Sequence, residues 1–137
     1  MAEETTLIIV KPDGVERGLV GAMLSRFEAA GFGLVAATSL KLTRDQAKSF
    51  YAEHTEKPFF PNLVQYIASG RIVVVAVRRE DAIRRARQLI GATNPPDAAP
   101  GSIRADYGLD NTRNTVHASD SPASARREVA FFFPDLD

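Results

Sequence analysis

The stretch Thr5-Thr6-Leu7-Ile8-Ile9-Val10-Lys11-Pro12-Asp13-Gly14 joins a compact apolar run to a turn sequence. An unbroken apolar run of this length, rich in β-branched residues, is typical of a strand buried inside a sheet. Proline and glycine so close together indicate that the strand ends in a turn. We therefore predict a buried strand from Thr5 to Lys11, with Lys11 at the end where α/β folds often keep ligand-binding groups.

Helices and strands alternate along the rest of the chain. Thr43 and Gln46 have the spacing of a capping box, and Ser121-Pro122 places an N-cap before a proline at the first helical position. Apolar periodicity predicts a helix over 18–30, a strand over 33–42, a helix over 43–53, a short helix from Phe60 closed by Gly70, a strand over 71–77, a helix over 81–90 and a helix from Ser121 to Phe133.

The segment 91–121 is predicted to be mostly irregular, with a weak short strand near 114–117. Irregular segments of this length are uncommon inside a domain and are usually functional or disordered. The alternation of helices and strands predicts an α/β (α+β) domain. We expect a ferredoxin-like split βαβ sandwich, with a four-stranded antiparallel sheet covered by helices and a long active-site loop.

Composition limits the class of protein. The length of 137 residues predicts one domain, 1–137. The 17 basic and 17 acidic side chains leave no net charge to attract a polyanion, so a polyanion would have to bind at a local site. The absence of cysteine excludes disulfides, zinc–thiolate sites and thiol catalysis. The apolar run after an acidic start is too short for a signal peptide, and no segment approaches the roughly 18 apolar residues of a membrane span. We expect a cytoplasmic protein without membrane contact.

Neither the P-loop nor the dinucleotide-binding glycine pattern occurs in the sequence. A phosphate-binding site would therefore use side chains, and arginines with hydroxyl or amide donors suit an anionic phosphate chain. The long segment is rich in such groups, namely Thr93, Asn94, Arg104, Asp106, Arg113, Asn114, His117, Ser119 and Asp120.

Two charged residues lie unusually close to apolar helix stripes. Arg87 projects about 40° from Ile83 at the 100° spacing of a helix. Glu128 flanks the apolar stripe of the last helix in the same way. An inward-leaning charge needs a partner or a cleft, although a stem packed on the core with its head in water, or a salt bridge on the helix side, would also satisfy it.

Other candidate residues have ordinary explanations when each is taken alone. A loop histidine such as His117 is usually solvent-exposed, and Lys11 could be an exposed lysine at a strand end. Phe59 is either a core side chain or a stacking face for a base. His54 lies near a helix end without surrounding donors, and we assign it no function.

Taken together, the residues resemble the nucleoside diphosphate kinase family. The signature N-x-x-H-[GA]-S-D occurs as Asn114 to Asp120, with Ala118 where glycine is common. Four further blocks match the family's T-x-x-x-x-K-P-D-[GA], Y-x-x-H-x-x-K-P-F-[FY], G-x-T-[ND]-P and P-G-[TS]-I-R-[GA]-D patterns. They lie at 6–15, 51–60, 91–95 and 100–106, in the family's order.

The resemblance implies a ping-pong enzyme. The γ-phosphoryl group of a nucleoside triphosphate passes to His117 and then to a nucleoside diphosphate, with Mg²⁺ carried mainly by the nucleotide phosphates and no metal site of the protein's own. The family's phosphate and ribose ligands correspond to Lys11, Arg87, Thr93, Arg104 and Asn114, its base-stacking ring to Phe59, and the residues that order the histidine to Tyr51, Ser119 and Glu128.

Histidine offers a neutral nucleophilic nitrogen near pH 7, and phosphoryl transfer requires mainly positioning and charge neutralisation. The resemblance also implies a homo-oligomer, either a hexamer or a tetramer. Asn111-Thr112 replaces a more usual valine–glycine pair beside the base site, so we expect the contact opposite Phe59 to be altered or weaker.

Two other functions make different demands on the sequence. A nucleic-acid-binding module of the RRM type needs a basic, aromatic sheet face. The strand over 71–77 is instead apolar without an aromatic, and the net charge is zero, so no nucleic-acid partner is expected. A regulatory protein of the same fold that passes phosphate to protein partners stays open as an alternative or additional role.

Overall fold

The first predicted strand is one of the two central strands of the sheet in the computed structural model, which describes residues 3–110 and 113–136. In chain order the elements of this part are β1 (Glu3–Val10), α1 (Pro12–Glu16), α2 (Val20–Ala29), β2 (Gly33–Leu40), α3 (Arg44–Phe50), α4 (Phe60–Ile67), β3 (Ile72–Glu80), α5 (Ala82–Ile90), α6 (Ile103–Tyr107), β4 (Val116–Ala118) and α7 (Pro122–Phe132). Short 3₁₀ helices occupy Ala52–His54 and Pro95–Asp97. None of the helices in the described part has both the length and the apolar character needed to cross a membrane.

The four strands form one antiparallel sheet in the order β2-β3-β1-β4. Strand β3 lies between β1 and β2, and β1 lies between β3 and β4, so each βαβ unit is split by a strand of the other. This is the predicted ferredoxin-like arrangement. The prediction of fold class is therefore confirmed.

Strand β1 is buried on both faces because helices cover both sides of the sheet. Ile8 and Val10 pack in one cluster with side chains of α2 and α5, including Phe27. Leu7 and Ile9 pack in the other cluster with side chains of α3 and α4, including Phe50. Successive strand residues point to opposite faces, so an apolar run rather than an alternating one is needed here.

Three differences from the predicted elements lie directly after β1 and between α5 and α7; elsewhere element ends shift by a few residues, as where β3 continues to Glu80. The Pro12-Asp13-Gly14 turn is the beginning of α1, with proline at the first helical position. Helix α6 lies inside the segment predicted to be irregular, because Ser102 accepts the Ala105 N–H as an N-cap and Ile103 is buried. The weak strand begins at Val116 instead of residue 114, because Thr115 has a φ of 79°.

Both predicted helix caps are present. Thr43 and Gln46 form the reciprocal bonds of a capping box at the start of α3. Ser121 accepts the Ser124 N–H at 3.1 Å, and Pro122 occupies the first position of α7. These caps satisfy backbone donors that have no partner within the helix.

Gly91 ends α5 in a conformation that other residues avoid, and this position gives a stability test. Its φ is 87° and ψ −177°, and a Cβ there would lie 2.5 Å from Ser102 Oγ. Replacing Gly91 with alanine should therefore lower the free energy of unfolding by about 2 kcal/mol or more, measured by urea denaturation. Gly18→Ala is the control, because φ is also positive but the space is open, and it should cost about 1 kcal/mol. Equal losses in the two variants would contradict the close packing of Gly91 on Ser102.

Candidate active site

A cavity of about 230 Å³ opens where β1 ends beside the start of β4, bounded by α3, α4, α5, α6 and α7. The residues predicted as site residues that line it are Lys11, Tyr51, Phe59, Arg87, Thr93, Arg104, Asn114, His117 and Glu128. The remaining one, Ser119, is buried behind the wall and contacts Glu128. The fold thus brings the predicted residues to one place, although they are spread over nearly the whole chain.

The His117 ring is held from one side by a carboxylate. Its Nε2 lies 2.7 Å from Glu128 Oε1, and Ser119 Oγ donates to the same oxygen at 2.9 Å. The side chain of Glu128 is only 5% exposed, whereas that of His117 is 19% exposed. Because a carboxylate accepts hydrogen bonds, this contact assigns the proton of a neutral ring to Nε2 and leaves the lone pair on Nδ1.

Helix α7 and the sheet set this geometry. His117 lies on β4 opposite Ile9 of β1, and the Ser119 N–H donates to Leu7 O at 3.2 Å. Glu128 projects inward from α7, which packs across β1. The Phe50 ring meets the imidazole edge-on, with 5.8 Å between the ring centroids. The helical spacing predicted that Glu128 lies close to the apolar stripe of its helix. In the structure its carboxylate is buried there and contacts His117.

Lys11 is buried at the end of β1 and bonds to the loop rather than to a carboxylate. Its Nζ donates to Asn114 Oδ1 at 2.8 Å, and Asn114 Nδ2 donates to Thr93 O at 2.9 Å. The asparagine thus connects the strand end to the segment that follows α5. Its side chain fixes where the lysine ammonium and the Thr93 backbone lie relative to each other.

Two arginines are held by backbone carbonyl groups. Arg104 donates to Gly91 O at 3.0 Å and to Val116 O at 2.8 Å, and Arg87 donates to Ala118 O at 3.0 Å. Within the described residues neither arginine, nor Lys11, forms an ion pair with a carboxylate. Arg104 Nε is also buried without a hydrogen-bond partner there. Lys11 and Arg104 are buried and Arg87 is half-buried, and cations so shielded from water without counterions favour the binding of an anion.

Burial and the closeness of like charges lower the pKa values of two cations in the pocket. Burial, and next the Arg104 guanidinium, lower the pKa of Lys11 to about 7, against an opposing effect of the Asp13 carboxylate. Burial and the Arg87 guanidinium lower the pKa of Arg104 to about 10. A phosphate chain placed among these groups would supply the missing negative charge.

Tyr51 lies in the pocket wall beside Phe50. The two rings meet edge-on with centroids 5.0 Å apart, so Tyr51 reaches the His117 ring through Phe50. Burial, and next the Glu128 carboxylate, raise the pKa of the Tyr51 hydroxyl. The hydroxyl therefore stays protonated at neutral pH and is available as a hydrogen-bond donor.

A second cleft, of about 570 Å³, adjoins the 230 Å³ cavity that holds Lys11, Arg87 and Arg104, here called the cationic pocket. The two share Phe59, Leu63 and Thr93. Phe59 is 47% exposed, and the Lys57 ammonium lies 5.7 Å from its ring centroid. A half-exposed ring beside a group of buried cations suits a ligand with a flat end and an anionic end. The adjoining cleft itself was not predicted, because it lies between the end of α5 and α4.

His54, to which the sequence analysis assigned no function, also lines the cationic pocket. Its ring centroid lies 5.8 Å from that of Phe59 and 6.2 Å from that of Tyr51. The signal available in the sequence was its spacing of three residues from Tyr51 within the same motif block. The altered base contact predicted at Asn111-Thr112 falls on residues outside the described part of the chain.

Comparisons with known proteins identify the family. The family model described as "Nucleoside diphosphate kinase" matches residues 4–137. The chain is 55% identical over 132 residues to a nucleoside diphosphate kinase of Archaeoglobus fulgidus, covering 96% of this chain and 87% of that one. It is 54% identical over 137 residues to that of Pasteurella multocida, covering 100% and 99%.

Solved structures give the same result. An orthorhombic crystal form of the Aquifex aeolicus nucleoside diphosphate kinase superposes with a TM-score of 0.96 at 45% identity, over 99% of this chain and 100% of that one. A halophilic nucleoside diphosphate kinase from Halobacterium salinarum in complex with CDP superposes with a TM-score of 0.94 at 44% identity, over 98% and 90%. On the family match, the sequence relatives and the shared fold, this chain belongs to the nucleoside diphosphate kinase family.

Proposed function

We propose that this chain transfers the γ-phosphoryl group of a nucleoside triphosphate, typically ATP, to a nucleoside diphosphate through phosphorylated His117. The observation that carries the proposal is the carboxylate-held imidazole beside the buried Lys11 and Arg104 and the half-buried Arg87, none of which pairs with a carboxylate of the described residues. In the first step a ring nitrogen bonds to the γ-phosphorus, the bond to the bridging oxygen breaks and the diphosphate leaves. In the second step a terminal oxygen of another diphosphate takes the phosphoryl group from the ring.

The attacking atom in this proposal is Nδ1. Nε2 lies 2.7 Å from Glu128 Oε1 and therefore carries the proton. When Nδ1 bonds to phosphorus the ring becomes cationic, and the buried Glu128 carboxylate stabilises that charge at Nε2. Ser119 donates to the same carboxylate oxygen and holds it in place. The histidine is thus oriented before the substrate arrives.

Lys11, Arg87 and Arg104 take up the negative charge of the phosphates in this proposal. Because they are held by an amide oxygen and by backbone carbonyls, little reorganisation is needed as charge moves during transfer. Asn114 and Thr93 supply polar contacts for the phosphates and the ribose hydroxyls. Phe59 offers one face for base stacking, which is tolerant of base identity because every base has a π-face.

Mg²⁺ is part of the proposal as an ion that the nucleotide carries. The described residues contain no group of three or more His, Asp or Glu side chains that could hold a metal ion. The donors of the pocket nevertheless fit a nucleotide-borne ion, because Asp120 contributes a carboxylate to the wall among the cationic side chains. Bound there through phosphate oxygens, Mg²⁺ supplies additional neutralisation of phosphate charge.

The wider biological setting of the proposal rests on the family resemblance. We include in it a single catalytic domain over 1–137, a cytoplasmic location and a homo-oligomer that is either a hexamer or a tetramer. Light scattering on the purified protein distinguishes the two assemblies by mass.

The phosphohistidine is tested directly by incubation with radiolabelled ATP. The wild-type protein should form an acid-labile, alkali-stable phosphoprotein that added GDP discharges, and His117→Ala should form none. His54→Gln is the matched control, because His54 is the other of the two histidines in the chain. Absence of label in the wild type, or label that survives in His117→Ala, would contradict the assignment.

Arg87→Ala tests whether that arginine contacts the phosphates. Loss of a charge-assisted bond should cost about 1.5–3 kcal/mol, which is roughly a tenfold to hundredfold loss in kcat/KM. Arg84→Ala is the control on the same helix, because Arg84 is exposed and pairs with Asp81. Steady-state kinetics with both nucleotides measures the effect, and unchanged kinetics of Arg87→Ala would leave Arg87 with a structural role only.

The pH dependence of nucleotide binding tests the environment of Lys11. Since its pKa is about 7 in the free protein, Lys11 is mostly neutral at pH 8, and phosphate binding favours its charged form. ADP binding at pH 8 should therefore take up a proton, and affinity should fall as the pH rises above 7. Calorimetry in buffers of different ionisation enthalpy measures this uptake, which Lys11→Met should abolish. Binding without proton uptake would refute the prediction.

A further inference from the structure

A buried carboxylate lies behind the pocket wall and has no role in the phosphoryl transfer described above. Asp13, in α1, is 6% exposed. Tyr66 of α4 donates its hydroxyl to Asp13 Oδ1 and accepts the Asp13 N–H at 2.9 Å. Thr115 donates its hydroxyl to Asp13 Oδ2 at 3.1 Å. Asp13 therefore connects α4 to the segment that leads into β4.

Lys11 and the first residues of α1 hold Thr115 at three points. The Lys11 N–H donates to Thr115 O at 2.8 Å, and Asp13 accepts the Thr115 hydroxyl. Gly14 packs so closely that a Cβ there would lie 3.0 Å from Thr115 Cγ2 and 2.8 Å from Val10 Cγ1. The backbone, the side-chain hydroxyl and the methyl group of Thr115 are each in contact with one of these residues.

Thr115 needs such contacts because its backbone is strained. Its φ is 79°, in the left-handed region, and a β-branched residue rarely adopts that conformation. Residues in such conformations persist only where the surroundings hold them, and they cluster at functional sites. Thr115 lies between Asn114, which bonds Lys11, and β4, which carries His117.

We propose that Asp13, together with Tyr66, is a positioning residue that holds Thr115 in this conformation and so fixes Asn114 against Lys11. This role rests on the proposed function, since Lys11 and Asn114 are taken there as nucleotide ligands. Asp13 does not line the pocket, so it acts through Thr115 and not on the substrate. The same contact sets the course of the chain into the strand that carries the histidine.

Asp13 also affects Lys11 through its charge. Burial and the Arg104 guanidinium lower the pKa of Lys11, and the Asp13 carboxylate raises it. The other charged or titratable groups of the pocket come from several elements: Arg87, Arg104, Arg127, His54, His117, Glu53, Asp120, Glu128 and Tyr51. Removing the charge of Asp13 leaves the effects of burial and Arg104 in place, which lowers the pKa of Lys11 and disfavours its ammonium form.

Asp13→Asn and Tyr66→Phe test the positioning role by kinetics. Asp13→Asn should lower kcat/KM about tenfold in both half-reactions, the size expected for loss of about one hydrogen bond to a charged group. Tyr66→Phe should lower it in the same direction. The double variant should be no worse than Asp13→Asn, because the Tyr66 hydroxyl acts through that carboxylate.

Two matched controls remove the same chemical groups elsewhere. Tyr107→Phe deletes a phenol hydroxyl near Arg26 but keeps the backbone carbonyl that also accepts from Thr115. Asp81→Asn replaces the surface carboxylate that pairs with Arg84 by an amide of the same size. Both should keep wild-type kinetics.

ADP binding and a crystal structure provide readouts that do not require turnover. In Asp13→Asn the pH above which ADP affinity falls should move lower, and the bond between Lys11 Nζ and Asn114 Oδ1 should be broken or lengthened.

Wild-type kinetics and an unshifted pH profile in folded Asp13→Asn and Tyr66→Phe, even with a lower Tm, would overturn the inference. If Asp13→Asn fails to fold, Tyr66→Phe decides the question alone. A wild type that binds ADP but forms no phosphohistidine overturns the proposed function and leaves these two readouts valid.

Discussion

The pairing of the three-residue strand β4 with the end of β1 is the constraint on which the pocket depends. Strand β3 holds β1 along its other edge over eight residue pairs, so the end of β1 is a rigid support. Pairing Ile9 with His117 places the histidine beside the strand end that carries Lys11. The carbonyls of Val116 and Ala118 then accept bonds from Arg104 and Arg87. One short strand pairing therefore arranges the proposed nucleophile and its cations together.

The charges are arranged so that, within the described residues, no carboxylate pairs with Lys11, Arg87 or Arg104; the second oxygen of Glu128 instead lies 3.7 Å from Arg127 Nη2. Glu128 is bonded to His117 and Ser119, whereas Lys11 is held by an amide oxygen and the arginines by carbonyls. Carbonyl dipoles satisfy hydrogen-bond donors without cancelling their charge, so the pocket stays positive. Crowding like charges in a buried site costs folding free energy, and such costs are tolerated where a ligand recovers them.

The segment between α5 and α7 is a structured wall of the pocket because each of its ends has a specific anchor. Gly91 ends α5 against Ser102, the cap of α6, and its carbonyl accepts a bond from Arg104. Asn114 and the strained Thr115 form the other anchor, held by Lys11 and Asp13. The lack of a periodic pattern predicts a mostly irregular segment, and these polar contacts fix the position of its described ends.

The sequence by itself determined the local features. The apolar run of β1, the caps at Thr43 and Ser121 and the inward lean of Arg87 and Glu128 follow from periodicity and spacing, which depend on neighbours a few residues away. Motif blocks identified the candidate site residues through resemblance. Helix α6 was missed because its five residues are stabilised by a cap and one buried side chain, not by a long periodic pattern.

Only the tertiary structure decided which atoms meet. It selected Nε2 as the ring nitrogen that bonds Glu128, placed His54 beside Phe59 and gave Thr115 its left-handed backbone. Asp13 and Thr115 are 102 positions apart in the chain, and Lys11 and Asn114 are 103 apart. Contacts at such separations require the sheet to hold the end of β1 beside the start of β4, so no local pattern in the sequence encodes them.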